Sequence, residues 1–272
     1  MRILIIDGSP RKGNTWKLTQ KVMDILLTYD NTINFTEVHL SDLNLPFCMG
    51  CSNCFRVGHK HCPHNQIIQP IIDLIEENDA VIISVSSFQG QPTALMKNFT
   101  DHLAFMIHRP RFFTKKALII STTGGVSADS TTQSLANTLP GWGFNKCYQL
   151  PMVALSWNAY NPTEKDVTKA EKVTHKFYHD VKSQKLHAPS VGVLIPFNLF
   201  QAIYVSSPSE MDYPTADNPF WRAYLGKRYA PNIPIPAYKK FLGLLIFLIG
   251  KRISKKMIIT YRKYGILLFS GE

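Results

Sequence analysis

The sequence predicts a doubly wound α/β fold: five parallel strands interleaved with five helices, then a C-terminal helical extension. Three observations carry this. Runs such as Ala80-Val81-Ile82-Ile83-Ser84-Val85 and Ala117-Leu118-Ile119-Ile120 are continuously apolar, as expected of strands covered on both faces. Such runs alternate with helical patterns over the first two thirds of the chain, the order that builds βαβ units. The first run, Arg2–Ile6, passes through a turn rich in Gly, Ser and Pro straight into a helical pattern.

Strands are expected near 2–6, 34–40, 80–85, 117–121 and 146–150, and helices near 15–28, 67–77, 92–107, 127–139 and 163–183. A chain of 272 residues, 45% hydrophobic with a mean hydropathy of −0.07, can bury one α/β core with material left over. We therefore expect a domain over 1–185 and an extension over 186–272. No internal repeat or low-complexity segment appears.

The first turn reads Asp7-Gly8-Ser9-Pro10-Arg11-Lys12-Gly13-Asn14-Thr15. Strand, polar turn and helix N-terminus make an anion site, because unpaired N–H groups and the helix dipole point into the turn. Ser9, Asn14 and Thr15 add neutral donors, and Arg11 and Lys12 add charge. The spacing Gly8-x4-Gly13 approaches that of a P-loop, but Asn14 stands where that motif needs its lysine. G-x-G-x-x-G is absent. A hydroxyl-rich cradle without that lysine suits one terminal monophosphate, such as that of FMN.

Gly8-Ser9-Pro10-Arg11-Lys12-Gly13-Asn14-Thr15 after an N-terminal strand resembles the phosphate loop of the flavodoxin-like NAD(P)H-dependent FMN reductases, in the branch that includes the iron–sulfur flavoproteins. The resemblance spans roughly residues 1–185. It implies a flavodoxin-like strand order, in which ligand binds outside the carboxyl ends of the first and third strands. That nominates two further loops. In Ser86-Ser87-Phe88-Gln89-Gly90, Ser86 and Phe88 stand where the family has proline and tyrosine. An aromatic face for a flavin ring is kept and a hydroxyl lost. After the fourth strand, Thr122-Thr123-Gly124-Gly125 lets backbone amides approach the ring's polar edge.

Cys48, Cys51, Cys54 and Cys62 follow the spacing C-x2-C-x2-C-x7-C. In a reducing compartment such a cluster points to metal rather than disulfide. The short loops suit an iron–sulfur cube, and the spacing resembles the motif of the iron–sulfur flavoproteins, which implies these four thiols as ligands of a [4Fe-4S] cluster. Zinc, helped by His59, His61 and His64, and a loop without metal stay open. Cys147 reads as a buried strand residue. His39, His102 and His108 read as surface or core fillers.

The formal charge of +11 sits in one place. Eleven of the thirty Lys and Arg residues, but one of the nineteen acids, lie from Asn218 onward. A balanced core with one basic tail argues against a nucleic-acid partner. Within 239–263, basic residues bracket Phe241–Gly250, an apolar run too short to span a bilayer. Two readings stay open: a helix packed on the core or a dimer partner, and contact with an anionic membrane surface. With no secretory apolar region at the N-terminus, a cytoplasmic protein is expected.

The expected function is FMN-dependent transfer of electrons from NAD(P)H to an acceptor, and the resemblance implies a homodimer. The alternatives are an electron carrier without nicotinamide activity and a zinc-stabilised, non-redox interaction module. No catalytic acid or base is expected.

Overall fold

A computed structural model describes residues 1–156, 159–206 and 215–265, the last eleven as backbone only. The chain divides into two compact units. The first comprises Met1–Gly50, Pro63–Ala104 and Pro110–Leu186; the second comprises Cys51–Cys62, Phe105–Arg109 and His187–Glu272.

The first unit is a parallel sheet of β1 (Arg2–Asp7), β2 (Asn34–His39), β3 (Ala80–Phe88), β5 (Lys116–Thr123) and β6 (Lys146–Val153), in the order β2-β1-β3-β5-β6. The chain reverses its direction of winding between β1 and β3, so their carboxyl ends open a crevice. Register fixes that crevice: Asp7 pairs with Ser84 across β1 and β3, and Ser86 with Thr122 across β3 and β5. The three expected loops thus leave the same end of adjacent strands.

Successive strand residues face opposite sides. Ile3, Ile5, Ile82, Leu118, Ile120 and Leu150 share a core with Leu18, Val22 and Leu26 of α1 (Asn14–Tyr29) and Ala170 and Phe177 of α6 (Glu164–Lys182). Leu4, Ile6, Val81, Ile83 and Ile119, on the other face, are equally buried. At about 25 cal/mol per Å² of apolar surface, two covered faces are the main source of the unit's stability.

Beyond β3, the chain makes a feature that the sequence reading lacks. β4 (Gln91–Pro92) pairs antiparallel to the end of β3 through the two-residue turn Gln89-Gly90. Both turn residues have positive φ, 54° and 73°, the requirement of a type I′ hairpin. The helix expected over 92–107 is consequently shorter. Thr93 caps α4 (Ala94–His102) by accepting from the Met96 N–H, and a 3₁₀ turn over Ala104–Ile107 follows. On the first unit, α3 (Asn65–Glu77) and α5 (Ala128–Thr138) complete the helices.

The second unit contains the short α2 (Asn53–Arg56), α7 (Val191–Ser206), α8 (Asn218–Ala223) and the 29-residue α9 (Ala237–Gly265). Trp221 is fully buried, edge-on to Phe197. Asn198 and Gln201 of α7 donate to the carbonyls of Arg228, Tyr224 and Lys227, satisfying the turn after α8. Asp217, with no exposed surface, pairs with both Arg109 and His108, and Arg109 also donates to the Cys54 carbonyl. One carboxylate therefore ties the extension to the cysteine segment of its own unit. Removing one partner of a buried pair leaves the other charge uncompensated. Asp217→Asn should cost about 3–5 kcal/mol in chemical denaturation of the second unit; an unchanged midpoint would show that the pair does not hold it.

Candidate functional site

At the carboxyl ends of β1, β3 and β5 lies a cavity of about 510 Å³, within the size range of small-molecule sites. Its walls include Arg11, Thr15, Ser86, Phe88, Thr122 and Gly124. Four hydroxyls form a chain at its floor, three on lining residues and the fourth on buried Ser9, bonded to Ser86. Thr15 Oγ1 lies 2.6 Å from Thr122 Oγ1 and 3.0 Å from Ser86 Oγ, which is 3.0 Å from Ser9 Oγ. Each hydroxyl can donate once and accept twice, so the cluster can turn protons toward an anion while staying internally bonded.

The helix end above this floor is open. Gly13 precedes α1 without a side-chain cap, and no acid occupies the first turn. Its first N–H groups and positive dipole end are left for an external acceptor. Exposed Arg11 adds a cation at the mouth. Gly8 is required by packing, because a Cβ there would stand 2.6 Å from Met96 Cε and 2.8 Å from Met96 Cβ.

The other sequence-selected residues divide. Ser87, Thr123 and Asn14 line the cavity, but their side chains are engaged. Asn14 donates to the Ser156 carbonyl at 2.6 Å, strutting the loop after β6. Ser87 Oγ donates to the Ser127 carbonyl and accepts from Thr131 Oγ1, and Thr123 Oγ1 donates to the Val126 carbonyl. Lys12 turns aside, 5.0 Å over the Trp16 ring and 4.0 Å from Glu37. Gln89 and Gly90 form the hairpin turn that presents Phe88 and are not in the wall. Gly125 lines a neighbouring cavity with Lys165 and Lys169.

Three contributors carry no sequence signal of their own. Ser156 lines the cavity with a buried Oγ that has no partner among the described residues. Leu155 stands exposed at the rim, as does Phe88, which the sequence nominates. Beneath the turn, Asp7 is buried, accepts from the Ser9 N–H at 3.2 Å and lies 3.3 Å from His39 Nδ1. His39 is thus a partner to the loop rather than a filler.

The cysteines lie in both units, Cys48 in the first and Cys51, Cys54 and Cys62 in the second. None of them is in a disulfide, and the Cys48 N–H donates to Asn98 Oδ1. Gly50, Ser52 and Gly58 have positive φ, so the backbone of the segment turns sharply at each. Among the candidate zinc histidines, His59 stacks on Phe105 and His64 Nδ1 is 2.9 Å from His102 Nε2. In β6, desolvation pushes the Cys147 thiol up to about 12, so it stays protonated and unreactive.

Burial holds the Asp7 carboxyl above its ordinary value, outweighing the hydrogen bonds from Ser9, Ser84 and His39. A raised native pKa means the native state keeps its proton longer than the unfolded chain, so this group's contribution to stability falls as pH rises from about 4 through the raised value. Asp7→Asn should therefore raise the melting temperature at pH 7 and leave it nearly unchanged at pH 4. An equal change at both pH values would contradict the assignment.

Residues 1–159 match the family described as NADPH-dependent FMN reductase. The chain is 29% identical over 209 residues to an iron-sulfur flavoprotein of Clostridioides difficile strain 630, covering 75% of this chain and 89% of that protein. It is 30% identical over 145 residues to an iron-sulfur flavoprotein of Archaeoglobus fulgidus, covering 53% and 64%. Among solved structures, an NADH:FMN oxidoreductase in its apo form has a TM-score of 0.50 at 20% identity, over 66% of this chain and 89% of that one. An FMN-dependent NADH-azoreductase of Bacillus anthracis has a TM-score of 0.50 at 12% identity, over 65% and 100%. At these identities the structures speak for the fold, which is flavodoxin-like. With the family match spanning more than half of its residues, the chain belongs to the NADPH-dependent FMN reductase family.

Proposed function

We propose that this FMN-dependent NAD(P)H oxidoreductase seats the FMN phosphate on the hydroxyl floor of Ser9, Thr15, Ser86 and Thr122, beneath the open end of α1. The convergence of those hydroxyls under an uncapped helix is the observation that carries the reading. Bound FMN supplies the redox chemistry, taking hydride from the nicotinamide and releasing electrons to an acceptor. The protein's task is placement. Arg11 and the α1 N–H groups offset the phosphate charge. Phe88, presented by the hairpin turn, would offer the ring an apolar face, and the Thr123–Gly124 backbone would serve its polar edge. Ser156 Oγ offers a further hydrogen bond.

The exposed apolar rim of Phe88, Val126 and Leu155 suits a second chain covering the site, which supports a homodimer. The similarity to iron-sulfur flavoproteins and the spacing C-x2-C-x2-C-x7-C support Cys48, Cys51, Cys54 and Cys62 as ligands of a [4Fe-4S] cluster. Such a cluster would move electrons singly from a flavin that receives them in pairs. Cysteines outside disulfides also suit the reducing cytoplasm.

Two measurements check these assignments. Ser9→Ala combined with Thr15→Val should weaken FMN binding about tenfold or more in a fluorescence titration, since each lost hydrogen bond to a charged group is worth ~1.5–3 kcal/mol. Unchanged affinity would remove the cradle from phosphate binding. Anaerobically purified protein should carry iron and acid-labile sulfide with a broad brown absorbance, and Cys51→Ser should lose these while keeping flavin bands. Stoichiometric zinc without iron would overturn the cluster assignment.

A further inference from the structure

Helix α9 is apolar on two opposite faces, and α7 covers one of them. Gly243 and Gly250, seven residues apart and so on one side of the helix, are buried against α7. A Cβ at Gly250 would meet Ala202 Cβ at 2.9 Å, and one at Gly243 would meet Asn198 Nδ2 at 3.1 Å. Ser254 continues the buried side, with its Oγ bonded to the Gly250 carbonyl. The glycines bring the helices close and fix which side of α9 turns outward.

The outward side carries Phe241, Leu245 and Leu248 at helical spacing, flanked by Leu244 and Ile249. Phe241 is 62% exposed and Ile249 57%. With Ile253 the stripe extends about 18 Å at 1.5 Å per residue, far beyond the isolated exposed apolar residues that any surface carries. Lys240 precedes it and Arg252 ends it, both exposed. Along its whole length α9 has eight Lys and Arg residues and no acid. Among the described residues, no helix is long and apolar enough to cross a membrane.

We propose that the outward face of α9 docks on an anionic membrane surface, with the stripe at the acyl boundary and the basic residues among the headgroups. Charge selects this occupant over a second copy of the chain. Whether two α9 helices met parallel or antiparallel, basic ends would oppose basic ends, with no acid on the helix to relieve them. An anionic lipid surface offers countercharge along the helix and apolar depth beneath its face. The inference is independent of the flavin site.

The test is flotation of full-length, flavin-loaded protein with two kinds of vesicle: phosphatidylcholine alone, and phosphatidylcholine with about one third phosphatidylserine. The expected result is binding to the anionic vesicles only, weakened by high salt. Phe241→Ser with Leu248→Ser should lower that binding about tenfold or more, and Lys240→Glu with Arg252→Glu should also abolish the preference for phosphatidylserine. Melting temperature and FMN affinity, unchanged in both variants, show that the fold is intact. Absence of flotation with either vesicle, or flotation that ignores the double serine variant, overturns the proposal. Sedimentation in which those serines convert a dimer to a monomer, without vesicle binding, assigns the face to a second copy and overturns it equally.

Discussion

The open amino end of α1 sets the terms for the first unit. Its N–H groups need acceptors, yet neither a capping side chain nor a first-turn acid supplies one. The fold instead brings three strand ends beneath it; the side chains they turn into the cavity floor carry hydroxyls, while the Asp7 carboxyl stays buried beneath the turn. A carboxylate there would satisfy the helix and repel a phosphate. Hydroxyls can hold one another and still serve an anion, because each has acceptor and donor capacity beyond its internal bonds. Parallel strand register makes this arrangement possible, since Ser86 and Thr122 are cross-strand partners and Thr15 spans both.

A different constraint organises the second unit. Its helices bury Trp221 and pack closely through glycines, but its polar anchor is Asp217, held by Arg109 and His108 of the Phe105–Arg109 segment. Through Arg109 the same carboxylate reaches the Cys54 carbonyl. Residues well beyond the family match thus fix the backbone of a cysteine segment near the start of the chain. The extension is part of how those cysteines are placed.

The strands of the first unit were legible because burial on both faces leaves continuous apolar runs, and the turn between β1 and α1 because its Gly, Ser and Pro residues mark it. Other roles depended on where side chains point, which composition does not encode. Asn14 has the chemistry of a phosphate donor and serves as a strut for the loop at Ser156. Lys12 has the charge and turns to Trp16. Gln89 and Gly90 looked like ring contacts, but their positive φ makes them the turn that aims Phe88. Asp7 and Ser156 were invisible as isolated residues and acquire meaning only from burial. In the extension, the apolar run between basic residues was plain. That Gly243 and Gly250 turn its glycine side to α7, leaving the leucines outward, required the helix pair.

The central claim is that the hydroxyl floor and α1 hold a phosphate, and comparing FMN with riboflavin tests it most directly, since the two share a ring and differ by that group. Isothermal titration of the full-length protein should give FMN the tighter binding by about a hundredfold or more, the scale of a few charge-assisted hydrogen bonds. Equal affinity for the two flavins would contradict the account, because it would place the ligand's binding energy somewhere other than the open end of α1.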